Sequence, residues 1–230
     1  NGGVRLYSDT DGTLEAIVDF HLVTKWKTAA DSLLAALRLA PEGAERVLVV
    51  GAGTVGASLI EAFRAGFPAA QIAVWNRTTA AAQDLAEAED VVAVDDLEKA
   101  VRAADIVVTA TMASEPVIKG AWLRPGQHLN LIGAYRADMR ETDDEALTRG
   151  AIYVDSRDTT LAHIGELKTP IEDGVIAIED IRADFYDLAH FRRGGEGDIT
   201  LFKNGGGAHL DLMTARYILD KWEARQAAKG

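Results

Sequence analysis

Gly51-Ala52-Gly53-Thr54-Val55-Gly56 is the segment whose residue types and spacing most directly imply chemistry. It follows the apolar run Val47-Leu48-Val49-Val50 and precedes an apolar helical pattern. That is the setting in which a GxGxxG loop cradles a dinucleotide diphosphate. Gly51 permits the tight turn, Gly53 lets the backbone approach a pyrophosphate, and Gly56 allows close packing of helix on strand. Thr54 and Val55 then open a helix whose unpaired N–H groups and partial positive charge face the phosphates. A glycine-rich turn with no ligand is the competing reading.

The second strand of the series chooses the cofactor. About 20 residues beyond the glycines, an NAD-binding chain usually places Asp or Glu against the ribose hydroxyls. This sequence has Asn76-Arg77-Thr78 instead. No carboxylate there repels a 2′-phosphate, Arg77 can pair with it, and Asn76 and Thr78 can donate hydrogen bonds, so NADP(H) is expected. In the alternative, Arg77 is a solvated loop cation and NAD(H) binds. Residues 109–114, with Thr111 and Met112 among them, follow the fourth strand of the series, and Gly133-Ala134-Tyr135 follow the fifth. Ligands of open α/β sheets bind outside the carboxyl ends of strands, so both segments are expected on the nicotinamide side. Ordinary loops would occupy the same positions.

Other chemistries lack their parts. There is no cysteine and no GxSxG, and His21, His128, His163, His190 and His209 show neither HxxxH nor HExxH spacing, so no metal site is expected. Only His163 is retained as a candidate, because it follows the sixth strand on the cofactor side. A formal net charge of −12 argues against a nucleic-acid partner. No run of about 18 apolar residues and no signal region occurs, so a cytoplasmic setting away from membranes is expected. The first residue is Asn rather than Met, which suggests a chain that begins inside a longer product.

The elements that must position these residues read as an α/β chain. Residues 4–8 and 14–19 form an expected hairpin about Thr10-Asp11-Gly12, followed by a helix over 22–40 carried by Leu33, Leu34, Leu37 and Ala40. Beyond Pro41, strands at 46–50, 71–75, 91–94, 105–109, 128–132 and 152–155 alternate with helices at 55–65, 79–87, 97–103 and 143–149. Such alternation predicts a Rossmann-type doubly wound parallel sheet. A helix near 158–164, a weakly patterned stretch over 168–193, a final strand at 199–203 and a long carboxyl-terminal helix complete the chain. With 48% hydrophobic residues over 230, a core forms without disulfides.

From Asp19 onward the sequence resembles the ornithine cyclodeaminase and mu-crystallin family. The resemblance rests on Thr24-Lys25-Trp26-Lys27-Thr28-Ala29-Ala30, on Val49-Val50-Gly51-Ala52-Gly53, on the stretch from Pro125-Gly126 through Gly133-Ala134 to Arg140-Glu141, and on Thr200-Leu201-Phe202-Lys203. It implies a smaller substrate and dimerisation domain built from both chain ends, 1–40 and 206–230, beside a cofactor domain over 41–205, and hence a homodimer. It also implies transfer of hydride between nicotinamide and a carbon bearing nitrogen, on an imino acid or small amino acid. Lys27 stands where the family usually has an Arg that binds the substrate carboxylate; it keeps the charge without the planar fork, and a solvated helix cation is the alternative. Thr28 and Asn204 join the cofactor set by the same resemblance, Asn204 close to the nicotinamide amide where relatives often carry Ser. Asn76-Arg77-Thr78 looks like the NADP version of the ketimine reductases.

Three functions follow from these readings. The first is NADP-dependent reduction of an imino acid, or reversible deamination of a small amino acid. A cyclodeaminase-type lyase with NAD is the second, opposed by Tyr135 at the place of the lyases' catalytic Asp. The third is a protein that holds NADPH without catalysis, since the family's amino-terminal segment with a catalytic Lys has no counterpart here.

Overall fold

Both faces of the central strands are covered, which is why they read as continuous apolar runs. The computed structural model describes residues 2–228. In β3 (Arg46–Val50), Val47 and Val49 face one core while Leu48 and Val50 face the other. The first core adds Leu59, Ile60 and Phe63 of α2 (Thr54–Gly66); the second adds Val101 of α4 (Leu97–Ala103) and Ala146 and Leu147 of α5 (Asp144–Arg149). Each such Val, Leu, Ile or Phe side chain taken from water contributes about 1.5–3 kcal/mol.

The sheet is parallel throughout and has eight strands. From one edge they are β5 (Val92–Ala93), β4 (Gln71–Trp75), β3, β6 (Ile106–Thr109), β7 (His128–Leu131), β10 (Thr200–Lys203), β8 (Ala151–Val154) and β9 (Ile181–Ala183). Strand order reverses between β3 and β6, and the crevice at such a switch point is where α/β sheets bind ligands. The helix α3 (Thr79–Glu89) joins β4 to β5. The doubly wound sheet expected from the sequence is thus present.

Three details differ from expectation. The last strand, expected at 199–203 without a pairing partner, is β10 and inserts between β7 and β8. The weakly patterned stretch supplies the edge strand β9, the helix expected near 158–164 is only the short α6 (Arg157–Thr160), and a further helix, α7 (Gly165–Glu172), begins beyond its expected end. In α1 (Phe20–Leu39) the inward face is Ala29, Ser32, Ala35, Ala36 and Leu39, whereas Leu34 and Leu37 are exposed. Small residues win there because they let the helix approach the sheet closely.

The chain divides into two compact units, and the boundary falls inside α1, between Thr28 and Ala29. Ala29–Gly205 form the sheet unit. The other unit joins the residues up to Thr28 with those from Gly206 onward. In it the antiparallel hairpin of β1 (Gly3–Tyr7) and β2 (Leu14–Asp19) shares a small core with α1 and α8 (Ala208–Ala227), made by Leu6, Val18, Val23 and Ala215. Among the described residues no helix is long and apolar enough to cross a membrane.

Candidate active site

At the switch point a cavity of about 250 Å³ opens beyond the carboxyl ends of β3, β4 and β6. It collects Gly51, Gly53, Asn76, Arg77, Thr78, Thr111 and Met112, all expected from the sequence to touch a dinucleotide. Gly51 adopts φ 124°, and a Cβ there would sit 2.5 Å from the Ala110 carbonyl oxygen. A Cβ on Gly56 would lie 2.1 Å from the Gly51 oxygen, so helix and turn meet without side chains. Nothing lies within 4 Å of a Cβ built on Gly53, so the loop leaves open space beside it. Gly53 caps α2 with no side-chain hydrogen bond, and Thr54 and Val55 begin the helix behind it. A diphosphate fits this combination of open space and a bare helix tip.

The β4 loop is wired to the glycine loop. Gly51 N–H donates to the Trp75 oxygen at 2.8 Å, and Ala52 N–H donates to Asn76 Oδ1 at 3.2 Å. Asn76 Nδ2 donates to the Thr78 oxygen at 3.1 Å. The Asn76 side chain therefore shapes the loop with its oxygen and one N–H of its amide. Arg77 is exposed on the lip and forms no hydrogen bond or ion pair among the described residues. A 2′-phosphate is the chemistry such a guanidinium suits.

On the β6 and β7 side the controlling group is one the sequence did not single out as functional. Glu141 is fully buried and accepts Thr111 N–H at 2.8 Å and Thr111 Oγ1–H at 2.7 Å through one oxygen. Its other oxygen accepts Gly133 N–H at 2.7 Å and Ala134 N–H at 3.2 Å. Gly133 is thereby turned toward Glu141 and is not among the residues lining the cavity.

Further buried charge lies at the ends of β7, β8 and β10. Lys203 Nζ donates to the Leu131 oxygen at 2.8 Å and to the Asn204 oxygen at 2.6 Å. Burial pulls the Lys203 ammonium below its ordinary pKa, against the charges of Glu141, Glu166, Asp155 and Asp31. Burial, with the nearby Asp155 charge, pushes the Asp31 carboxyl up to about 8 although Asn204 and Lys203 favour its ionised form. Asn204 Nδ2 donates to Asp31 Oδ2, and Gly205 N–H donates to Asp155 Oδ2 at 2.9 Å. Asn204 is thus held in place by its own unit, outside the lining of the switch-point cavity.

Lys27 and Thr28 belong to the other unit. Lys27 Nζ donates to Asp211 Oδ1 at 2.6 Å, both side chains being partly buried, so it is a paired cation rather than a solvated one. Thr28 is half-buried in the same helix. Tyr135 is exposed, with the Arg136 guanidinium 5.6 Å from its ring centre. His163 is exposed, whereas His128 is buried between Thr200 Oγ1 and Asn130 Oδ1 and burial pulls its pKa down to about 3. Among the described residues no group of three or more His, Asp or Glu could hold a metal ion.

Comparisons with known proteins agree on the family. The model of the ornithine cyclodeaminase/mu-crystallin family matches residues 3–226. The Delta(1)-pyrroline-2-carboxylate reductase of Paracoccus denitrificans (strain Pd 1222) is 54% identical over 226 residues, which cover 94% of this chain and 72% of that protein. The ketimine reductase mu-crystallin of Mus musculus is 34% identical over 224 residues, 96% of this chain and 69% of its own length. Among solved structures, the Thermococcus litoralis Delta(1)-pyrroline-2-carboxylate reductase in complex with NADH and L-proline superposes with a TM-score of 0.91. It is 26% identical, and the match covers 97% of this chain and 72% of that one.

Proposed function

The chain belongs to the ornithine cyclodeaminase/mu-crystallin family, and on that premise we propose that it reduces the carbon–nitrogen double bond of a cyclic imino acid with NADPH. It is an NAD(P)-dependent oxidoreductase of imino acids, as are the relatives named reductases for pyrroline-2-carboxylate and ketimines. The 54% identity to the Paracoccus reductase supports a five-membered cyclic substrate of the pyrroline-2-carboxylate kind. Arg77, unpaired on the cavity lip where NAD-binding chains carry a carboxylate, is the observation that favours NADPH over NADH.

When bound, the nicotinamide supplies the hydride. The protein's part is binding and orientation. The N–H groups at the tip of α2 and the open side of Gly53 receive the diphosphate, and Arg77 receives the 2′-phosphate. The buried ends of β6 and β7 hold the loops of the nicotinamide half through Glu141. Lys27 supplies the charge for the substrate carboxylate, and Asp211 holds its ammonium in place. A cyclodeaminase reading is disfavoured by Tyr135, which has no carboxylate to offer. We also assign the chain to a cytoplasmic homodimer; the exposed Leu212, Met213, Tyr217 and Trp222 of α8 offer apolar surface for such an interface.

The test is NADPH absorbance followed on addition of Δ1-pyrroline-2-carboxylate. Imine-dependent loss of NADPH with formation of proline, faster than with NADH, is expected. Absence of turnover with either coenzyme across cyclic and acyclic imino acids would count against the proposal.

A further inference from the structure

We propose that Glu141 is a positioning residue for the nicotinamide half of the coenzyme site, acting through the backbone of the two loops that it joins. The proposal rests on the reading of the switch-point cavity as an NAD(P)H site. Thr111 is part of the cavity wall after β6, and Gly133 and Ala134 follow β7, the neighbouring strand, in which Leu131 pairs with Thr109. One carboxylate receives every one of these groups: two donors of Thr111 on Oε1, and the Gly133 and Ala134 N–H groups on Oε2.

The identity of the residue follows from those partners. All four are donors, so the group facing them must accept on both of its atoms, and an ionised carboxylate does so. Glutamine has the same shape but turns an NH2 toward one loop, leaving buried donors facing a donor. The loops also touch closely: a Cβ on Gly133 would lie 2.0 Å from the Thr111 oxygen and 2.5 Å from Glu141 Oε1.

A second carboxylate fixes the first. Glu166 Oε2 accepts Glu141 N–H at 2.5 Å, while its Oε1 accepts Thr142 N–H at 3.0 Å and Thr142 Oγ1–H at 2.5 Å. Glu141 therefore reaches its loops from a backbone that is itself held, and the Lys203 ammonium offsets part of the negative charge gathered there. The adenosine half makes no hydrogen bond to this bracket. The glycine loop and Asn76-Arg77-Thr78 are tied by Ala52, Asn76 and Thr78, and none of their hydrogen bonds reaches Glu141. Loss of Glu141 should therefore loosen one end of the coenzyme site and spare the other.

The experiment is calorimetric titration of the parent chain, Glu141→Gln and Glu141→Asp with NADPH and with adenosine 2′,5′-bisphosphate, which lacks the nicotinamide half. Glu141→Gln is expected to weaken NADPH by about tenfold to a hundredfold, the range for buried donors left without an acceptor, and to leave the fragment within about twofold of the parent. Glu141→Asp keeps an acceptor on both oxygens but is shorter by one methylene, so it should show the same selective loss to a smaller degree. Equal weakening of both ligands, or unchanged NADPH affinity in both variants, would overturn the proposal. So would failure of both variants to fold, because the residue would then hold the whole unit rather than one end of the site. A parent that binds the fragment but neither NADPH nor NADH would instead overturn the coenzyme reading on which the proposal stands.

Discussion

Asp31 shows how a single buried side chain can make stability depend on pH. Its carboxyl is nearly inaccessible, receives the Asn204 amide, and is pushed up to about 8 by burial and by the Asp155 charge. The folded state therefore holds this proton more tightly than the unfolded chain, whose Asp titrates near 3.8. Its contribution is present in full below about pH 4 and is lost as pH rises toward about 8. Asp31→Asn keeps a neutral acceptor for Asn204. The variant should gain on the parent between pH 5 and pH 8 by about 4 kcal/mol, read as a difference in melting temperature that widens to about pH 8 and then stays level. A difference that stays constant across that range would remove the assignment. The flag that would have found it, an acid on the inward face of a helix, was missed in the sequence, because that face was read from Leu33, Leu34, Leu37 and Ala40 rather than from Ser32, Ala35, Ala36 and Leu39. Glu141 carried no such flag. It lies in an irregular segment between β7 and α5, where no periodicity distinguishes a buried carboxylate from a solvated one.

The glycine loop and α2 separate two requirements that the motif merges. Gly56 is required by packing, since a Cβ would collide with the Gly51 oxygen at 2.1 Å. Gly56→Ala should therefore destabilise the fold by about 1–3 kcal/mol, as overpacking does, and weaken coenzyme binding with it. Gly53 faces open space, so Gly53→Ala should leave stability within about 0.5 kcal/mol of the parent while weakening NADPH by about tenfold or more. Thermal melts and titrations on the two variants check the contrast, and equal destabilisation by both would refute it. Most elements were readable because strands covered on both faces announce themselves as apolar runs. Insertion of β10 between β7 and β8 was not, because pairing partners distant in sequence leave no local trace. The inward face of α1 was misread for a related reason: Leu34 and Leu37 follow helical spacing, yet close approach to the sheet selects alanine and serine.

At the scale of the whole molecule, the proposed coenzyme site lies at the switch point of the parallel sheet, where strand order reverses between β3 and β6. A ligand held there binds the folded chain and not the unfolded one. NADPH at about a hundred times its Kd should stabilise by about 2.7 kcal/mol, which for a chain of this length raises Tm by about 5–10 °C. Unchanged melting at saturating NADPH would mean that the cavity is not its site. The proposed preference for NADPH rests on Arg77 at the lip of the cavity. Titrating NADPH and NADH into the parent chain and Arg77→Ala is therefore the most direct measurement. The parent should bind NADPH more tightly than NADH, and the variant should lose about tenfold for NADPH while its NADH affinity stays within about twofold. A parent that prefers NADH, or a variant that binds both coenzymes as the parent does, would contradict it.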